Sequence, residues 1–99
     1  MNITEVKGES KLQLVVEGQV DTITAPELQQ RILTSFQKTK EVVLDLQKVG
    51  YMSSAGLRAM LLGQKTAQSK GGKLVVINVQ PAVMQVFQMS GFAKILTIE

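Results

Sequence analysis

Apolar positions along this chain change their period several times, and each change marks an element. Leu12, Leu14 and Val16 alternate with other neighbours, as a half-buried strand requires. With "NITEVK" ahead of them they read as two short strands around a Gly8-Glu9-Ser10 turn. "QVDTI" is expected to be a loop. In "TAPE", Thr24 stands as a helix cap, Pro26 falls in the first turn where its missing N–H costs nothing, and Glu27 completes a capping box. Leu28, Ile32, Leu33 and Phe36 then recur at helical spacing, predicting a helix over residues 25–39.

"EVVLDL" (41–46) reads as a third strand. A second helix opens at Ser53 or Ser54, with Leu57, Met60, Leu61 and Ala67 on its inward face, and Gly71-Gly72 stops it. "KLVVIN" (73–78) is almost continuously apolar, as in a strand covered on both faces. Pro81 opens a short helix that ends at Gly91, and "KILTIE" supplies a last short strand. The order β-β-α-β-α-β-α-β gives an α/β domain with a mixed, mostly parallel sheet and right-handed crossovers. Its expected core is Leu14, Val16, Leu28, Ile32, Val43, Leu57, Leu61, Val75, Ile77 and Phe87. In such sheets functional loops gather where strand carboxyl ends feed helices. Two loops qualify: "GQVDTITAPE" and "VGYMSSAG".

Composition narrows the field. With 99 residues and 44% apolar content, one globular domain spanning 1–99 is expected. No apolar run reaches the roughly 18 residues of a membrane span. The polar start "MNITEVKGES" lacks the basic and apolar regions of a signal peptide. Cysteine is absent, so no disulfide scaffold is implied. These features predict a cytoplasmic protein with no membrane partner, a monomer when free. The net charge is +3, the lysines form no run, and there are four aromatic residues in all, one Tyr and three Phe. A nucleic-acid partner is therefore not expected.

The adjacent serines at 53 and 54 raise a chemical question. A serine nucleophile needs a neighbouring base, and the chain has no histidine. No lysine stands three residues after Ser54; Leu57 does. Metal ligation is equally poor, "KGGK" lacks the spacing of a phosphate loop, and neither a cofactor nor enzymatic activity is expected. One serine suffices to cap a helix. If Ser53 is that cap, Ser54 is the first helical residue, and a phosphate there would face free N–H groups and the positive end of the helix dipole.

Three segments, "EGQVDTITAPEL", "DL…YMSSAGL" and "GGKLVVINVQPAVMQVFQMSGFAKI", closely resemble the STAS domain of anti-sigma factor antagonists, over essentially the whole chain. The resemblance implies a non-enzymatic regulator that binds an anti-sigma factor which is also a serine kinase. It implies phosphorylation at Ser54, two residues before Gly56, with release of the partner and resetting by a PP2C-type phosphatase. Asp21 matches an acidic partner-contact position, and Asp21, Gly50, Tyr51, Met52, Ser53 and Ser54 would form the binding surface. Ser53 replaces an aspartate of the well-known members and Ala55 a second hydroxyl residue. STAS-like domains also serve as unmodified subunits beside transporters or in stress-sensing assemblies, which is the alternative implied role.

Overall fold

A computed structural model describes residues 1–99. Its strands are β1 (Asn2–Lys7), β2 (Leu12–Val20), β3 (Glu41–Met52), β4 (Lys73–Ile77) and β5 (Thr97–Ile98). Its helices are α1 (Ala25–Phe36), α2 (Ser54–Ser69) and α3 (Pro81–Ser90). The strands form one sheet in the order β1-β2-β3-β4-β5, antiparallel only between β1 and β2. The α/β class and element order are those predicted.

Each parallel connection steps to the next strand in the same direction, so right-handed crossovers set all three helices on one face. The core has this layering. Leu14 and Val16 of β2, Leu44 and Leu46 of β3, and Leu74 and Val76 of β4 share one apolar cluster with Leu28, Ile32 and Phe36 of α1, Met60 of α2, and Val83 and Phe87 of α3. Val43 and Val75 point the other way, in register with Gln13 and Thr97 on the flanking strands. They are only 7% and 3% exposed but lie outside the main cluster. The apolar run in β4 therefore reflects shielding by neighbouring strands, not a second layer of helices as the sequence suggested.

Other boundaries shift for local reasons. Gln19 and Val20 belong to β2 and not to a loop. Helix α1 ends at Phe36, because the N–H groups of Lys38 and Thr39 both turn back onto the Ser35 carbonyl. The final strand shrinks to Thr97–Ile98, since Gly91 ends α3 in a left-handed conformation (φ 83°) and Phe92–Lys94 forms a 3-10 turn. In α2 the inward face is Gly56, Ala59, Met60, Gly63 and Ala67. Leu57 and Leu61, expected in the core, are half-buried on its flank, and so is Ile77 in β4. Close approach is the reason. A Cβ on Gly63 would stand 2.9 Å from Ile32 Cγ2 and 3.1 Å from Leu74 Cδ2, so small residues bring α2 down onto α1 and the sheet.

The largest departure is β3, which runs past Leu46 to Met52. It accommodates two irregularities. Val15 and Glu17 of β2 face Asp45 and Lys48, and Gly18 and Val20 face Val49 and Met52, so β3 carries one extra residue each time. Bulges re-aim the side chains that follow them. Leu46, Val49 and Met52 consequently all point into the core at a spacing of three. Asp45 pins the first bulge: its carboxylate accepts from the Gln47 N–H at 3.0 Å, from Asn78 Nδ2 at 3.2 Å and from Gln13 Nε2 at 3.3 Å. One side chain thus ties β2, β3 and the end of β4 together.

Candidate functional site

Two strand-to-helix junctions lie side by side where Val20 pairs with Met52. The Ser53 N–H donates to the Val20 carbonyl at 2.8 Å, so the start of α2 is fastened to the end of β2. Val20 and Met52 are both buried, and they form the floor of the site. Gly56 fits over this floor because it has no side chain. A Cβ there would stand 2.5 Å from Met52 Sδ and 2.7 Å from Val20 Cγ1.

At the first junction the expected cap is replaced by another. Thr24 is already helical in backbone (φ −92°, ψ −20°) and its side chain caps nothing, so the Thr24–Glu27 capping box does not form. Asp21 organises the turn. Its Oδ1 accepts from the N–H groups of Ile23 at 3.0 Å and Thr24 at 2.9 Å, while its own N–H donates to Thr24 Oγ1 at 2.9 Å. The Thr24 hydroxyl in turn donates to the Gln19 carbonyl at 2.7 Å. The Thr24 N–H above all, helped by the Ile23 N–H, holds the Asp21 carboxyl below its ordinary pKa despite partial desolvation. Every hydrogen bond of the Asp21 side chain stays inside its own turn.

The second junction divides its serines. Ser53 is extended (φ −88°, ψ 175°) and its Oγ accepts from the Gly56 N–H at 3.3 Å, which makes it the N-cap. Ser54 is the first helical residue and is exposed. An α-helix leaves its first N–H groups without internal partners, and the Ser53 hydroxyl takes only that of Gly56. The first turn of α2 contains no acidic residue. A negative group on Ser54 would therefore meet a positive helix end with no anion already in place.

The remaining surface residues predicted from the sequence separate into two groups. Gly50 and Tyr51 are exposed, Tyr51 by 51%. Met52 is buried at 3%, turned inward by the second bulge, so it supports the surface from below and is not part of what a partner would touch. Sequence reasoning overlooked Ile23, an apolar side chain 87% exposed beside Asp21. Its signal was a lone apolar residue in an otherwise polar loop. Asp45 was also overlooked, because its role depends on a bulge that the pattern does not announce.

No three His, Cys, Asp or Glu side chains are grouped to hold a metal ion. The surface depressions lie around Gly8–Lys11, Lys38–Glu41 and Lys70–Lys73, at the opposite end of the sheet from the serines. No helix is long and apolar enough to cross a membrane. The two junctions carry Gly50, Tyr51 and Ser54 as exposed residues.

Residues 2–99 match the STAS domain family. The chain is 35% identical over 99 residues to BtrV of Bordetella bronchiseptica, named as a candidate anti-sigma factor antagonist, covering 99% of this chain and 85% of that protein. It is 24% identical over 98 residues to the anti-sigma-B factor antagonist of Bacillus subtilis, covering 99% and 90%. In fold it resembles the anti-sigma factor antagonist SpoIIAA of Bacillus. The unphosphorylated form gives a TM-score of 0.75 at 16% identity, covering 99% of this chain and 87% of that one. The phosphorylated form gives 0.75 at 18% identity, covering 99% and 91%. The chain belongs to the STAS domain family, among the anti-sigma factor antagonists, which are regulatory binding proteins.

Proposed function

We propose that this protein binds a kinase-type anti-sigma factor through the paired junctions and is released when that partner phosphorylates Ser54. The observation that carries this reading is the division of labour between the serines. Ser53 is committed to the Gly56 N–H, whereas Ser54 is exposed at the first helical position with its hydroxyl free of hydrogen bonds. SpoIIAA, of the same fold, has been solved in phosphorylated and unphosphorylated forms that match this chain at the same TM-score of 0.75, as a switch acting through charge at a surface would allow.

The chemistry is local. The partner supplies ATP, Mg²⁺ and the base; the Ser54 hydroxyl attacks the γ-phosphorus and gives its proton to that base, the bond from the γ-phosphorus to the β–γ bridging oxygen breaks, and ADP leaves. The phosphoserine gains close to two negative charges and three strong acceptors. In the complex it would sit desolvated against a surface shaped for a neutral hydroxyl, and the partner dissociates. A PP2C-type phosphatase restores the hydroxyl. Asp21, with its carboxylate fixed by its own turn, gives the partner a preorganised hydrogen-bond acceptor at the rim of the surface.

The test is phosphopeptide mapping after the purified chain is incubated with each serine-kinase anti-sigma factor of the source organism and ATP–Mg²⁺. Phosphate is expected on Ser54 alone and none in Ser54→Ala, which stays bound to its partner. Ser54→Asp should bind more weakly, though less so than the phosphoprotein, because a carboxylate carries less charge. Phosphate on Ser53, or on neither serine, overturns the assignment.

A further inference from the structure

The charges of this chain are segregated. Up to Asp45 acidic and basic residues are mixed, but from Leu46 to Ile98 there are six basic residues, Lys48, Arg58, Lys65, Lys70, Lys73 and Lys94, and no acidic one. Helix α2 lies wholly in that second stretch. At 100° per residue, Ser54, Arg58, Leu61, Leu62 and Lys65 fall on one outward stripe, opposite the buried Gly56, Met60, Gly63 and Ala67. Arg58 and Lys65 are exposed and take part in none of the ion pairs, which involve Arg31, Lys38 and Lys48. Leu62 is 36% exposed between them. At the Ser54 end, the exposed side chains of Ile23 and Tyr51 continue the apolar part across the neighbouring junction.

We propose that this stripe is the docking face for the anti-sigma factor, and that the partner meets it with acidic side chains set around an apolar socket. The inference rests on the reading of Ser54 given above, and it adds the partner's chemistry. Charge complementarity argues for it. Two unpaired cations with no anion on the same helix face attract a negative surface and repel a positive one, which fixes both the rate of encounter and the choice of partner. Geometry agrees, since the stripe from Ser54 to Lys65 is about 16 Å long at the helical rise and begins at the residue the partner must reach. It also explains how a single phosphate acts. About two negative charges at the head of a stripe whose formal charges are Arg58 and Lys65 cancel the attraction that recruits an acidic partner.

The experiment titrates each purified serine-kinase anti-sigma factor of the source organism against the unphosphorylated chain and its variants, at two salt concentrations. Arg58→Glu/Lys65→Glu should bind about 10-fold or more weakly, mainly through slower association, with a flatter salt dependence. Its thermal midpoint should match that of the wild type, as neither side chain supports the fold. Lys7→Glu/Lys11→Glu, the same charge change on the β1–β2 hairpin, should bind within about twofold of wild type. Equal binding by the α2 variant overturns this inference while leaving the Ser54 reading intact, provided wild type is still bound and phosphorylated. An equal loss in the hairpin variant also overturns it, because net charge would then be the cause. If the basic stripe holds a fluorescein-labelled DNA duplex and the α2 variant loses only that, the occupant is wrong. Failure of every anti-sigma factor to bind or phosphorylate wild type rejects the Ser54 reading and this face with it.

Discussion

The two junctions at the carboxyl end of the sheet are built from similar material and end in different states. Ahead of α1, the Asp21 carboxylate accepts from the N–H groups of Ile23 and Thr24, the Asp21 N–H donates to the Thr24 hydroxyl, and that hydroxyl donates to the Gln19 carbonyl, all within six residues. Ahead of α2, a single 3.3 Å hydrogen bond from Gly56 to Ser53 does the capping, and the next hydroxyl is left free. The first junction is closed and the second open. A short polar loop is available for modification only when its local hydrogen bonds are few enough to leave a side chain over, and the second loop meets that condition. Both rest on the same buried floor, so whatever rigidity the open junction has comes from packing below it.

The strongest way to break this arrangement is to loosen α2 from the layer beneath it. Met60 is fully buried on the inward face of α2, whereas Leu61 is half-buried on its flank. Met60→Ala should lower unfolding free energy by about 2–5 kcal/mol in urea titration, and Leu61→Ala by clearly less. Equal losses would mean that the inward face of α2 is wrongly assigned. A smaller effect sharpens the comparison at the open junction. Ser53→Ala should cost about 1 kcal/mol, as for other N-caps, yet still accept phosphate on Ser54. The smallest concerns the closed junction. The folded-state pKa of Asp21 lies below its unfolded value, so its contribution is fully present above the ordinary aspartate range and is lost as pH falls through the folded pKa. Wild-type thermal midpoints should therefore drop in acid, and Asp21→Asn should remove part of that drop. Glu17, held low first by the hydrogen bond it accepts from Lys48, contributes to what remains. An unchanged acid limb in Asp21→Asn would mean that the carboxylate is not engaged in the turn.

Much of this was legible in the sequence, for physical reasons that can be named. The period-two pattern of Leu12, Leu14 and Val16 and the helical pattern of Leu28, Ile32 and Phe36 are direct records of burial, and the structure has both. The pattern offered Ser53 or Ser54 as the cap, a cap needs an extended residue ahead of the first turn, and Ser53 is that residue. What could not be read was anything decided between elements. The inward positions Leu46, Val49 and Met52 are three apart because two bulges absorb the extra residues, and a spacing of three does not announce a strand. The face of α2 is set by glycines that permit close approach, while the eye goes to the leucines. Thr24 has the right residue type for a cap, but its hydroxyl is engaged by the Asp21 N–H and the Gln19 carbonyl, and the Glu27 N–H turns to the Thr24 carbonyl.

The bulged strand has a consequence for how this protein can vary. Between Asp45 and Ser53 the strand holds two residues more than regular pairing with β2 needs. Removing one of them would leave two inward residues two apart, the ordinary alternation of a strand, and would keep Met52 on the floor. Adding one at a regular position would instead put the residues beyond it on the opposite face, and with them the start of α2 and Ser54. The segment should tolerate the loss of a bulge residue better than the gain of another. Spacing, more than composition, is what keeps the serine on the surface.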